Sequence, residues 1–433
     1  MIEDESTSED SDGEKNYIKK MRHAFEETLI EDKKTWESRC LHEIPYDCLS
    51  NIIKMTYPTI VLEDYDDILN ESMWKECYQS YRRWKSCVYQ NLSEEVILEI
   101  PEITEKSVSC LATCKKYIAI GTTMGEIIIY DLSNPNVAPI EFQYEGKIIQ
   151  MVFWKPNLNK LLLVSLSSSS EVKFWDIRKQ QEFEKKILVN ASNICTGTMQ
   201  NLFIESDGLV ECYEFGMMDH ENHLANRKKI KVVLQNKEKI ARMFSEKHEM
   251  LLISIYTIHV RTFHINVPTH SSPFFKIIRT SPYIELFENT INIDSYHFHM
   301  PAMNLTIGSF THNNFTDNSL GFLTTKNDSW YLNNSTFGKN IQSVAMHANL
   351  LILGSKTGKI KIIPVDDERV FVSHIEMYWS HEIKLEDNPI TGLNYTEFNK
   401  KTYIIVASKK RVYMIYPSRR KQNSIGESQS QSQ

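Results

Sequence analysis

Two histidines, His297 and His299, stand one residue apart in a stretch that reads as a strand. Alternate side chains of a strand share a face, which is the first requirement of a metal pair, but no further ligand is placed by the sequence. Packing or hydrogen bonding is the expected role. The eight cysteines are spaced irregularly: Cys110 and Cys114 are four apart, Cys77 and Cys87 ten apart, and no Cys-X-X-Cys pair occurs. Buried free thiols in a reducing compartment fit this better than zinc. No Gly-X-X-X-X-Gly-Lys phosphate loop exists, and Gly121 with Gly125 suits a tight turn. The basic runs Arg227-Lys228-Lys229-Ile230-Lys231 and Arg419-Arg420-Lys421 read as solvated segments, with nuclear import as the alternative. Expected catalytic, metal and cofactor residues are therefore none, and enzymatic activity is not expected.

The elements around these residues repeat. Residues 161 to 178, Leu-Leu-Leu-Val-Ser-Leu-Ser-Ser-Ser-Ser-Glu-Val-Lys-Phe-Trp-Asp-Ile-Arg, read as an apolar strand, a serine-rich reversal and a β-rich return. Similar pairs lie at 117 to 121 with 126 to 132, at 202 to 206 with 209 to 215, and at 350 to 354 with 359 to 365. Gly125, Gly208 and Gly358 occupy the turns, where positive φ is needed. Looser copies run 251 to 265, 305 to 324 and 403 to 416, making seven units. Each follows another apolar stretch, at 108 to 112, 148 to 154, 192 to 196, 240 to 244, 293 to 299, 341 to 346 and 390 to 395.

The closing Trp175-Asp176 of the best copy resembles the signature of a WD40 repeat, whose spacing is usually about 40 to 45 residues. That resemblance implies a seven-bladed β-propeller with four strands per blade. Fourth strands are expected between units, for example at 183 to 189, 274 to 279 and 370 to 377. The last unit lacks one, because after Tyr416 the chain turns basic and then into Gln-Ser repeats. Residues 96 to 100 are apolar and otherwise unemployed, so they are expected to supply the outer strand of the last blade and cover its edge. Residues 266 to 292 and 311 to 319, rich in Pro, Ser, Asn and Thr, are expected to emerge as loops.

A chain of 433 residues that is 41% hydrophobic can bury one large all-β core with an appendage. The formal net charge of -7 excludes a generally basic nucleic-acid binder. No stretch is long enough to span a membrane, and the acidic start Met-Ile-Glu-Asp-Glu-Ser is unlike a signal peptide. The expected location is cytoplasmic, nuclear or both, and Asn-X-Ser/Thr triplets such as that at Asn304 are read as chance.

The N-terminal part has another character. Residues 1 to 14 carry seven acids and read as a disordered tail within 1–15, whereas Ile18, Met21, Phe25 and Leu29 recur at helical spacing. Then Ile44-Pro45-Tyr46-Asp47-Cys48-Leu49, with Ile52, Ile53 and Met55, places a proline near a helix start and apolar residues at helical intervals. This resembles the opening of an F-box, and Met73-Trp74-Lys75-Glu76 with Arg82-Arg83-Trp84 resembles its close. Between them residues 56 to 70 lack the Trp usual in an F-box. The domains read as a helical region over 16–90 with its F-box-like motif at 41–89, a WD40-like propeller over 92–417 and a polar tail over 418–433.

The F-box resemblance implies a substrate-recognition subunit of a cullin-RING ubiquitin ligase. Ile44, Pro45, Leu49, Ile52, Ile53 and Trp74 would bind the adaptor that leads to the cullin scaffold, and the propeller would bind the protein substrate. No nucleic-acid, membrane or small-molecule partner is implied, and no cofactor. Such a receptor works by raising the effective concentration of substrate lysines near the charged enzyme. Two other readings stand beside it. Trp175-Asp176-Ile177-Arg178 fits the Trp-Asp-X-Arg pattern of propellers that serve a different cullin ligase, and a propeller can be a non-catalytic scaffold for complex assembly.

Overall fold

The computed structural model describes residues 35–57, 69–157, 160–183, 190–196, 201–214, 227–246, 249–256, 259–267, 274–280, 284–285, 290–300, 305–312, 318–324, 329–333, 341–365 and 380–418, those between 284 and 333 as backbone. It is mainly β, with multiple four-stranded antiparallel sheets and, among the described residues, three helices: α1 (Trp36–Glu43), α2 (Tyr46–Thr56) and α3 (Glu71–Cys87). None of these helices is long and apolar enough to cross a membrane.

The helix starts follow from local chemistry. Thr35 caps α1 by accepting from Ser38 N at 3.2 Å, and Asn70 caps α3 by accepting from Met73 N at 3.1 Å, so each side chain satisfies an otherwise orphaned backbone donor. Pro45 precedes α2, where a missing N–H costs nothing. Trp74, Cys77, Tyr81, Trp84 and Cys87 recur every three or four residues along α3, and this spacing gives one buried stripe.

Seven sheets are described, numbered here by their first strands. Sheet 1 runs Val108–Cys114, Tyr117–Thr122, Glu126–Asp131 and Ile140–Gln143; sheet 2, Ile148–Asn157, Lys160–Ser167, Val172–Asp176 and Gln181–Glu182. Sheet 3 has Asn193–Thr196, Asn201–Ser206, Leu209–Glu214 and Arg227–Lys231. Sheet 4 has Lys239–Glu246, Glu249–Tyr256, His259–Asn266 and Lys276–Thr280, with Ile284–Glu285 also paired to its third strand. Sheet 5 has Thr290–Met300, Leu305–His312, Asn318–Thr324 and Ser329–Asn333; sheet 6, Ile341–His347, Leu350–Ser355, Lys359–Pro364 and His381–Lys384. Sheet 7 joins Ile390–Phe398, Lys401–Ser408 and Arg411–Pro417 to Leu92–Glu99 from the other end of the chain. The first strand of each sheet lies beside that of the next, and the first strand of sheet 7 lies beside that of sheet 1.

In sheets 2 and 6 the second strand is a continuous apolar run because both its faces are covered. Leu162, Leu163, Val164 and Leu166 are all fully buried, as are Leu350, Leu351, Ile352 and Leu353. Four first strands also bind the next by a side chain. Cys110 Sγ donates to Ile148 O at 3.9 Å, Gln150 Nε2 to Ile194 O at 2.6 Å, Asn193 Nδ2 to Ile240 O at 3.0 Å and Ser343 Oγ to Ile390 O at 2.9 Å. Neighbouring sheets are thus held by polar bonds at one level and apolar packing at the others.

The turn glycines explain how the fourth strands are held. Gly125 and Gly358 have φ of 83° and 73°, and their carbonyls accept from Tyr144 N at 2.8 Å and Leu385 N at 3.0 Å. A Cβ on Gly358 would strike Glu386 O and lie 2.9 Å from Asn388 O. Gly358→Ala should therefore destabilise the protein by about 2 kcal/mol, combining a strained φ with a displaced strand. An unchanged urea midpoint would contradict this account.

Several expectations need correction. The strand expected at 96 to 100 begins earlier, as Leu92–Glu99, and Ile100 instead donates its N–H to Lys410 O at 2.7 Å. The fourth strand of sheet 6 is His381–Lys384, not 370 to 377, which lie outside the described residues together with 184 to 189. Lys276–Thr280 matches the fourth strand expected at 274 to 279, and with Ile284–Glu285 it interrupts the loop expected over 266 to 292. Within 311 to 319 both ends are strand, and 313 to 317 lie outside the described residues. His297 and His299 lie on the first strand of sheet 5, whose register shifts between Tyr296 and Phe298. The first 34 residues, including Ile18 to Leu29, and those after 418 also lie outside the described residues.

Candidate interaction surface at the helix–sheet junction

Ile44, Leu49, Ile52, Ile53 and Trp74 come together, at 3% exposure or less, in one apolar cluster. That cluster is shared with Ala345, Leu350, Ile352, Ile360, Ile390 and Val406 of sheets 6 and 7. These five side chains are thus buried within the chain itself, in a core to which helices and sheets both contribute. Pro45, the sixth residue expected to bind the adaptor, is exposed. Apolar residues at helical spacing identify a buried face but not what buries it.

Residues from opposite ends of the chain lock this junction. Trp84 meets His347 edge-on at 4.7 Å between ring centroids, and His347 stacks on Tyr395 at 4.3 Å with 23° between planes. Glu397 accepts from Arg83 Nε at 2.8 Å and from Ser80 Oγ at 2.6 Å, so α3 is also tied electrostatically to sheet 7. Burial alone holds the His347 imidazole down to about pKa 3, and neither ring nitrogen has a hydrogen-bond partner among the described residues. None of these sheet residues carried a sequence signal, because their role depends on which helix lands on them.

Beyond the C-terminal half of α3 a cleft of about 560 Å³ opens between helix and sheet, lined by Arg83, Ser86, Gln90, Lys400, Lys401, Thr402 and residues 416 to 418. Asn399 and Lys400 have φ of 50° and 60°, the geometry of a tight hairpin turn, so their lysines are held at the rim by rigid strands.

The other singled-out residues are structural or surface groups. Trp175 donates from Nε1 to Ser165 Oγ at 2.8 Å and stacks on Phe142 of sheet 1 at 4.7 Å. Asp176 accepts from the backbone of Arg178 and Lys179 at 3.1 Å each, leaving the Arg178 side chain exposed. The basic run at 227 to 231 is the fourth strand of sheet 3, and Lys229 pairs with Glu211 at 2.5 Å. Seven of the eight free cysteines are buried, and burial raises the thiols of Cys40 and Cys110 to about 12 and of Cys87 and Cys114 to about 11. They are therefore protonated and inert near neutral pH. No metal-holding group of three His, Cys, Asp or Glu residues occurs among the described residues.

A family model described as the Pep3/Vps18/deep orange beta-propeller domain matches residues 322–431. The match takes in sheet 6 and the three late strands of sheet 7, and it carries neither the F-box nor the WD40 resemblance. No curated protein matches the chain at a significant level. The family match and the succession of four-stranded antiparallel sheets together make this a propeller-like protein.

Proposed function

We propose that the chain is a non-catalytic protein-binding platform, a closed seven-bladed propeller over residues 92–417 with three helices built into its side. The observation that carries the reading is the order of neighbours: first strands follow one another from sheet 1 to sheet 7 and back to sheet 1, with the two chain ends paired in sheet 7. Pairing Leu92–Glu99 with Arg411–Pro417 covers the edge of the last sheet, and the ring is a rigid body whose loops and clefts can hold other proteins. Buried, protonated thiols suit the cytoplasm or nucleus.

A narrower reading is the substrate receptor of a cullin-RING ligase. It is favoured by α2 and α3 forming a compact unit in which the F-box-like Pro45 and Trp74 segments meet. On that reading the adaptor engages Pro45 and the outer helix faces, since the other five anchors are buried. Mass spectrometry of proteins co-purifying with the full-length chain separates the readings. The platform reading expects a stable set of partners, and only the ligase reading expects a cullin adaptor among them. Arg178→Ala should leave an F-box adaptor bound and would remove the adaptor of the Trp-Asp-X-Arg type. Purification without any partner would overturn both.

A further inference from the structure

We infer that the cleft beside α3 binds acidic segments of a partner protein, its lysines holding carboxylate or phosphoryl groups; this rests on the platform reading and names the chemistry of one partner. Among the described residues the lining contains Arg83, Lys400 and Lys401 and no acid. Arg83 shares its charge with Glu397, so the two lysines supply the uncommitted charge. Both are exposed, and neither has an acidic partner among the described residues.

The walls are set before any ligand arrives. Gln90 Nε2 donates to Ser86 Oγ at 3.0 Å, Ser86 Oγ donates to Arg83 O at 2.9 Å, and Ser418 is bonded through both N and Oγ to Asn91 O. These bonds fix the polar lining and leave the cationic ends free, so ordering costs little on binding. The volume falls in the usual range of about 300 to 1,000 Å³ for a ligand site.

A concave lining that presents two exposed lysines suits an acidic peptide. A bilayer is the less suitable anion, because among the described residues the lining offers only Tyr416 and Pro417 as apolar groups, both partly buried, and no long apolar side chain to insert.

The test is fluorescence anisotropy of the full-length chain with a fluorescein-labelled glutamate decapeptide and with a phosphoserine-containing acidic decapeptide. Binding of at least one is expected, weakening with salt. The pair Lys400→Glu with Lys401→Glu should reduce affinity about tenfold or more, while Lys179→Glu with Lys409→Glu, the same charge change outside the cleft, should leave it within about twofold. No binding, equal loss in both pairs, or binding only to phosphatidylserine vesicles would overturn the inference. An unchanged set of co-purifying proteins beside failed peptide binding would refute the cleft and leave the platform reading standing.

Discussion

Leu49→Asp should weaken the whole molecule by about 4 kcal/mol or more, by loss of a buried leucine and burial of an unpaired carboxylate. Leu49 is 2% exposed and belongs to the cluster shared by α2, α3 and sheets 6 and 7. Were the same side chain an open anchor for an adaptor, the substitution would spare the fold and remove only binding. The two outcomes are measured together by urea denaturation followed by tryptophan fluorescence and by adaptor pull-down. Leu49→Met, nearly equal in volume, should cost less than about 1.5 kcal/mol and guards against attributing any change to mere substitution. A wild-type denaturation midpoint for the aspartate variant would show that the helices do not share a core with the sheets.

Strands were legible where both faces are buried, since residues 161 to 167 and 350 to 354 are apolar runs too short for helices and bounded by turn residues. Turn glycines were legible for a similar reason: positive φ leaves few alternatives to glycine. The Trp-Asp ending was legible as a pattern, and its physical content is now visible in Trp175 bridging two sheets and Asp176 closing a turn. The helical cap was harder. Ile44, Leu49, Ile52, Ile53 and Trp74 announce a buried face in sequence, but whether the chain or a partner covers it depends on contacts some 300 residues away, with Leu350, Ile390 and Val406.

The cleft was less legible still. Lys400 and Lys401 look like ordinary solvated lysines in sequence, and they acquire meaning only because a two-residue turn sets them opposite Arg83 and Gln90. Outer strands such as His381–Lys384 gave weak signals because they are short and half exposed, so neither apolar run nor strict alternation marks them.

Acid should loosen the helix–sheet junction through His347, and the sign follows from its environment. An ordinary imidazole has a pKa near 6.5, and burial lowers that of His347 to about 3. Between these values the unfolded chain binds a proton that the folded chain refuses, so stability is full above about pH 6.5 and falls as pH drops toward 3. The slope inside that window is about 1.4 kcal/mol per pH unit, or roughly 2 to 3 kcal/mol between pH 6.5 and 4.5. The expense is local to the junction, since protonation would place a charge between Trp84 and Tyr395 with both ring nitrogens lacking a hydrogen-bond partner among the described residues. His347→Phe keeps an aromatic ring there and removes the titration, so its urea midpoint should decline less steeply with acid by that amount. Because no hydrogen bond is lost, the variant should match or exceed wild-type stability at pH 7. Parallel midpoint curves for the two proteins from pH 7 to 4.5 would mean that His347 is reached by water and that the junction opens without unfolding the rest.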